Sequence, residues 1–238
     1  MSVIDTAWGL GFIVIAFATI FHRIIQGYEH IIDMRGIVIL LLVFVWGSRL
    51  ALYLHKRNKK AGEDFRYQTF RKEWGEKTNI ISYFKVFMLQ MVLLFIVALP
   101  VSLPLLTLNN SPLGLMSWLG IGIWCIGFSI EYMADQQLKN FKAKGQKGII
   151  KTGLWRYSRH PNYFGEALLW WGMCFLSWEI GQHIFIATLI GPALLTLFLI
   201  KISGVPMLEE KYKDNPEYQE YKKRTSAFIP LPPKNSQL

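Results

Sequence analysis

Charge is what this sequence has least of. Asp, Glu, Lys and Arg make up only 18% of its 238 residues, while 52% are hydrophobic; soluble domains carry roughly a quarter charged residues. Mean hydropathy is +0.27. A deficit of that size makes sense when much of the chain faces lipid. Cysteine is scarce as well. Cys125 and Cys174 both sit inside apolar runs, which gives no disulfide framework and no CxxC metal signature and leaves them as small core residues. No metal is expected. Several nucleotide and hydrolase signatures are also missing: no GxGxxG follows a strand, and there is no Walker A loop, HExxH or GxSxG. Any nucleotide site is therefore not of the Rossmann type. The first apolar run lacks a basic n-region and a small-residue cleavage site, so it is expected to remain in the mature protein.

The charge that remains is one-sided, with 26 Lys and Arg against 16 Asp and Glu and a net charge of +10. Such a balance can signal nucleic-acid binding, but here the basic residues flank apolar runs and form no soluble basic face, so no nucleic-acid partner is expected. A membrane explains the pattern better. A bilayer core about 30 Å thick needs ~20 mostly apolar residues per helix. Six segments qualify, approximately 7–25, 37–54, 83–103, 113–132, 164–178 and 184–202. The fifth is short and starts after the polar Pro161-Asn162-Tyr163, so it reads either as a half-buried helix or as one joined to the sixth. The expected fold is an all-α polytopic bundle of about six spans, one integral membrane domain over 1–238. Nine Trp and ten Tyr suit interfacial aromatic belts.

Orientation follows from the basic loops. Residues 55–82 hold eight Lys/Arg, residues 135–161 hold seven and the tail after Ser203 holds six, whereas loops 104–112 and 179–183 hold none. Six spans put all three basic regions and both termini on the cytoplasmic side. Taken singly, many of these lysines are topology signals and nothing more. The ordered motifs among them carry more.

The densest runs from Lys151 to Glu166. Trp155, Tyr157 and Tyr163 offer stacking surfaces, and Arg156, Arg159 and His160 offer donors for phosphate. Pro161 suits a first helical turn, and Asn162 and Glu166 then share one face. A carboxylate just inside an apolar span is costly unless protein pairs it; an interfacial belt accounts for the aromatics but not for Asn162 with Glu166. Near the end of the second span Arg49, Tyr53 and Arg57 form a stripe at four-residue spacing, Arg57 within snorkelling reach of the headgroups and Arg49 deeper. Glu63 and Asp64 beside Arg66 and Tyr67 read equally as a solvated ion-pair cluster or a cofactor loop. Asp135, Lys139 and Lys142 share a helix face; alone they suit an ordinary salt bridge, together a nucleotide's ribose and phosphates. In the tail Glu209, Glu210, Tyr212, Tyr218 and Tyr221 sit on an amphipathic segment that could cover a cytoplasmic pocket.

Arg-His-Pro-Asn-Tyr-Phe-Gly-Glu at 159–166, Gly-Glu-Asp-Phe-Arg-Tyr at 62–67 and Arg-Thr-Ser-Ala-Phe-Ile-Pro at 224–230 together resemble a mainly bacterial membrane family related to steroid 5-alpha-reductases and sterol reductases. The resemblance covers nearly the whole chain for the bacterial family and mainly residues 113–238, a reductase-like region behind three N-terminal spans over 1–112, for the steroid and sterol enzymes. It implies NADPH at the cytoplasmic end of a helix bundle in the bacterial inner membrane and reduction of an electron-poor carbon–carbon double bond in a membrane lipid. By similarity Asn162 and Glu166 line the nicotinamide end, Asp135, Lys139 and Lys142 meet ribose and phosphates, and Arg57, Arg66 and Tyr67 wrap the adenosine. Arg49, Trp155, Arg159, His160, Tyr163, Tyr212, Tyr218 and Tyr221 complete the expected cofactor contacts.

One departure concerns the group that polarises the substrate. Alignment on Arg49 puts Trp46 where steroid reductases carry Tyr, and no Glu lies in the first two spans, although Asp5, Glu29 and His30 lie near their ends. The expected catalytic set is therefore Glu166 with Tyr53 or Trp46 as donor. A competing expectation is an S-adenosylmethionine-dependent methyltransferase of the isoprenylcysteine or phospholipid type, which shares the Arg-His-Pro-x-Tyr helix start and a paired Glu in the tail (Glu209-Glu210). A transporter or scaffold is a third class, with Pro100 and Pro104 as breaks in span three.

Overall fold

The computed structural model describes residues 3–28, 31–61, 65–107, 110–145 and 148–234. Glu29, His30, Glu63 and Asp64 lie outside the described residues, as do the side chains of Asp5, Arg66 and Tyr67. The chain is nearly all helical, 77%, without strands among the described residues. Two long apolar helices come first, α1 (Val3–Ile25) and α2 (Met34–Ala61). Then follow α3 (Phe65–Trp74), α4 (Thr78–Ser82), α5 (Leu89–Val97) and α6 (Leu99–Leu106). The remainder is α7 (Leu115–Ala143), α8 (Pro161–Phe175), α9 (Gln182–Thr188), α10 (Ile190–Leu197), α11 (Val205–Glu210) and α12 (Pro216–Arg224).

Five helical runs are long and apolar enough to cross a bilayer: Ala7–Ile25, Met34–Arg57, Arg71–Val97, Leu115–Ala143 and Gln182–Glu210. This is a multi-pass membrane protein. The count is one fewer than the apolar segments of the sequence, because segment 164–178 becomes the 15-residue α8, only about 22 Å long against a ~30 Å core. The third run also shifts, from 83–103 to Arg71–Val97. Pro100 cannot donate to the carbonyl four residues back, and the helix breaks at Ala98 (ψ −1°) before resuming as α6.

The chain divides into two compact units, Met1–Gly114 with Leu176–Gly191, and Leu115–Phe175 with Pro192–Leu238. In the first, Gly9 and Gly47 bring α1 against α2 so closely that a Cβ on Gly47 would lie 2.5 Å from the Gly9 carbonyl oxygen. Two arginines are buried there among carbonyl oxygens. Arg23 donates to Leu106 O at 2.8 Å, at the end of α6. Arg35 donates to Leu176 O and to Pro112 O (2.9 Å) and pairs with Glu179 at 2.9 Å. Helix-end carbonyls lack intrahelical partners, and these guanidinium groups supply them.

The second unit is built on an antiparallel pair, α7 and α8. Glycines seven residues apart on each helix, Gly120 and Gly127 on one and Gly165 and Gly172 on the other, form the seam. A Cβ on Gly127 would sit 2.5 Å from Leu169 N, one on Gly165 2.5 Å from Glu131 N, and one on Gly172 2.7 Å from Gly120 O. These are backbone atoms, so the contact leaves no room for any side chain. Small residues allow this approach where lipid provides no hydrophobic drive between helices. Eight of the α8 residues are buried, which shields this short helix by protein.

Candidate functional site

The glycine seam fixes what stands beside it. Glu131 and Asp135 lie one turn apart on α7 and are 3% and 2% exposed. Asn162, in the first turn of α8, donates its amide to Asp135 Oδ1 at 3.3 Å. Glu166, one turn further along α8, is half-buried, as are Asn162 and Tyr163. Buried carboxylates on a membrane helix are costly without polar partners, so this ladder of two acids facing an amide and a third acid is the most polar part of the pair. Lys139 and Lys142 continue the Asp135 face and are exposed. The sequence had marked Asp135, Asn162 and Glu166; it had not marked Glu131 as a site residue, although an acid four residues before Asp135 within an apolar run was the available signal.

Loop 148–160 leads into this helix. Gly153 sits at φ +62° with its Cα against Gln137, whose Oε1 a Cβ would meet at 2.6 Å, and the same Oε1 accepts from Leu154 N at 2.9 Å. Glycine alone suits both demands. Trp155 is buried with Ala134 and Ile150 and donates its indole N–H to Ala134 O at 3.1 Å. Ser158 Oγ accepts from His160 N at 3.1 Å and donates to Phe228 O at 2.8 Å.

Arg159 and His160 are buried, 8% and 5% exposed, and both meet Glu209 at the end of α11. Arg159 Nε donates to Glu209 Oε1 at 2.8 Å, and its Nη1 donates to both Lys222 O (3.1 Å) and Thr225 O (2.6 Å). His160 Nε2 lies 3.3 Å from the same carboxylate oxygen, and Lys222 Nζ reaches the second oxygen at 3.0 Å. One carboxylate thus holds Arg159, Lys222 and the His160 ring, and the guanidinium gathers two tail carbonyls.

The tail closes over this knot. Asn215 caps α12 by accepting from Tyr218 N at 3.1 Å, and Pro216 starts the helix, a combination suited to an N-terminus. Tyr221 donates its hydroxyl to Trp155 O. Tyr218 stacks on Tyr212 (5.0 Å) and meets Tyr221 edge-on at 6.0 Å, while Tyr163 stacks on His160 at 5.5 Å. Burial pushes the Tyr218 and Tyr221 hydroxyls above their ordinary value of 10.0, so both stay protonated. Beyond α12, Ser226 O accepts from Arg159 N at 2.8 Å and Tyr157 O from Leu231 N at 3.0 Å. Glu209 was noted in the sequence only as part of a pair in the tail; its role as the hub needed a contact across 50 residues.

The remaining expected residues belong to the first unit. Trp46 is 1% exposed and meets Phe12 edge-on at 5.4 Å. The Arg49 guanidinium lies 5.6 Å from the centre of the Tyr53 ring, both side chains being half-buried, and Arg57 is exposed. Among the described residues no group of three or more His, Cys, Asp or Glu is placed to hold a metal ion.

The profile of a family described as "Protein of unknown function (DUF1295)" matches residues 1–225 of the chain. The chain belongs to that family. The DUF1295 family is steroid 5-alpha-reductase-like, and the relatives of this member agree. It is 25% identical over 175 residues to an uncharacterized protein of Schizosaccharomyces pombe, covering 63% of this chain and 50% of that one. It is 28% identical over 114 residues to 3-oxo-5-alpha-steroid 4-dehydrogenase 1 of Rattus norvegicus, covering 47% and 40%, and 33% identical over 72 residues to steroid 5-alpha-reductase DET2 of Gossypium hirsutum, covering 29% and 28%. The chain spans half or less of the length of these relatives. No solved structure matches this DUF1295 member.

Proposed function

We propose that this protein is an NADPH-dependent reductase of a carbon–carbon double bond in a membrane lipid of steroid-like or isoprenoid enone type. The observation that supports it most is the Asp135–Asn162 hydrogen bond beside half-buried Glu166. It sets an acceptor for ribose hydroxyls beside an amide suited to a carboxamide, and the exposed Lys139 and Lys142 continue the Asp135 face toward water as partners for phosphate. That donor set fits a nicotinamide dinucleotide, which when bound supplies hydride.

In this reading Asp135 orients the Asn162 amide, which stays half-exposed and open to the cofactor. Glu166 completes the polar end. A donor near the substrate's carbonyl oxygen would steady the charge that develops there. The basic segments 55–82, 135–161 and the tail face the cytoplasm, the positive side of a bacterial inner membrane.

One observation favours a second reading. Glu209 ties the Arg-His-Pro helix start to the tail through Arg159 and His160, joining the two features that led to the methyltransferase alternative. Titrating the detergent-purified chain with NADPH and with S-adenosylmethionine, read by the melting temperature, separates the two. Stabilisation by NADPH that weakens in Asp135→Asn and Asn162→Ala supports the reductase; stabilisation by S-adenosylmethionine alone replaces it with the methyltransferase.

A further inference from the structure

A second basic feature of the Leu115–Phe175 and Pro192–Leu238 unit has no part in the reaction proposed above. An open cleft of about 530 Å³ lies between loop 151–156 and the tail, lined by Lys151, Arg156 and Arg224 together with Thr152, Thr225 and Pro233. Three cations face one carboxylate there, Glu220. Arg156 is exposed and makes no ion pair among the described residues. The other two cations are engaged only by exposed acids, Lys151 with Glu217 at 2.8 Å and Arg224 with Glu220 at 2.7 Å. Pairs of that kind are weak and easily exchanged for a stronger anion.

Exposed apolar side chains stand close in sequence to the lining residues Arg156 and Pro233. Segment 231–234 is fastened on both sides, Leu231 N donating to Tyr157 O at 3.0 Å and Lys234 N to Arg224 O at 2.9 Å. It carries Leu231 at 53% exposure, next to Ile229 at 57% and Tyr157 at 42%. A tail that met only water would gain nothing from presenting two large aliphatic side chains and a tyrosine beside three cations. The same combination is what a membrane–water interface selects: aliphatic and aromatic groups at the depth of the acyl boundary, with cations among the headgroup phosphates. The breadth of the opening suits a headgroup with its chains still in the bilayer better than a ligand enclosed by protein.

We propose that this cleft docks the phosphate of an anionic phospholipid headgroup, with Arg156, Lys151 and Arg224 as its cations and Tyr157, Ile229 and Leu231 seated at the acyl boundary. The site is independent of the reaction and stands whether the enzyme is a reductase or a methyltransferase. It would hold the tail against the membrane surface, and with it the lid formed by α12.

Native mass spectrometry of the detergent-purified full chain tests this. Phosphatidylglycerol and phosphatidylcholine of equal chain length are titrated separately, with inorganic phosphate and NADPH as soluble phosphate competitors. The wild-type chain should retain phosphatidylglycerol over phosphatidylcholine, and Arg156→Gln and Lys151→Gln should each lower that preference about fivefold. Ile229→Ser with Leu231→Ser should weaken retention of both lipids. All four positions are exposed, so unchanged melting temperatures confirm that the variants fold, and Arg156→Gln alone suffices if the double variant does not. Equal retention of the two lipids, or a preference unchanged in Arg156→Gln, overturns the proposal. Displacement of the lipid by NADPH but not by inorganic phosphate also overturns it, and assigns the cleft to the dinucleotide.

Discussion

Arg159 and Asn162 are three residues apart in one motif, yet the structure uses them differently. Arg159 and His160 are buried at the entrance to α8 and tied to Glu209, the tail carbonyls and Ser158. Asn162, Tyr163 and Glu166 begin the helix itself and stay half-exposed, and Asn162 meets the α7 acid Asp135. The first half of the motif closes the fold around a buried charge; the second presents polar groups that retain access. A run of functional-looking residues therefore divides at Pro161, where loop becomes helix. Substitutions on the two sides should separate stability from activity.

The largest effect is expected from Arg159→Ala. It leaves the Glu209 carboxylate buried without its guanidinium and two tail carbonyls without a donor, and removing one partner of a buried pair costs about 3–5 kcal/mol. Thermal unfolding in detergent should show the loss, and activity should fall with it. Gly165→Val comes next: its Cβ would meet Glu131 N at 2.5 Å, and overpacking of that kind costs about 1–3 kcal/mol while pushing Asn162 away from Asp135. Asn162→Ala should reverse the balance. Its hydrogen bond is partly exposed, so the melting temperature should move little, but cofactor affinity should drop roughly 10- to 100-fold, the worth of a hydrogen bond involving a charged group. Equal losses of stability in Arg159→Ala and Asn162→Ala would erase the division.

Alkaline pH tests the tail alone. Tyr218 and Tyr221 have folded-state values raised by burial above the unfolded value of 10.0. A raised value means that their contribution is fully present below pH 10 and is lost as pH rises beyond it toward the folded values. Unfolding monitored by tyrosinate absorbance should accelerate above pH 10, and less so in Tyr218→Phe. The smallest effect belongs to Glu217→Gln, which removes an exposed partner of Lys151 and should leave the melting temperature unchanged.

Much of the fold was legible because lipid imposes simple rules. Runs of apolar residues gave the first and second spanning helices within three residues and the starts of the fourth and last within two, but those two helices run on to Ala143 and Glu210, well past the apolar segments that announced them. The errors have physical causes. Pro100 ended the third run early and moved it toward Arg71, and α8, with 15 residues, is too short to count as a span. The α7 and α8 faces were legible from i,i+4 spacing, which placed Asp135 with its lysines and Asn162 with Glu166. The hydrogen bond between the two faces was not, since it depends on a glycine seam whose register no local pattern reveals. Glu209 was harder still: a glutamate in an amphipathic tail looks solvated until the chain brings Arg159 to it across 50 residues.

The central claim, that the Asp135–Asn162 ladder holds a nicotinamide dinucleotide, is tested most directly by NADPH-dependent thermal stabilisation of the wild-type chain and Asn162→Ala side by side. At a hundred times its dissociation constant a ligand confined to the folded state adds about 2.7 kcal/mol. The account predicts a clear upward shift for the wild type that shrinks or vanishes at the same NADPH concentration in Asn162→Ala, with both proteins melting alike when no ligand is added. The same shift in both proteins, or none in either while S-adenosylmethionine stabilises the wild type, would contradict it.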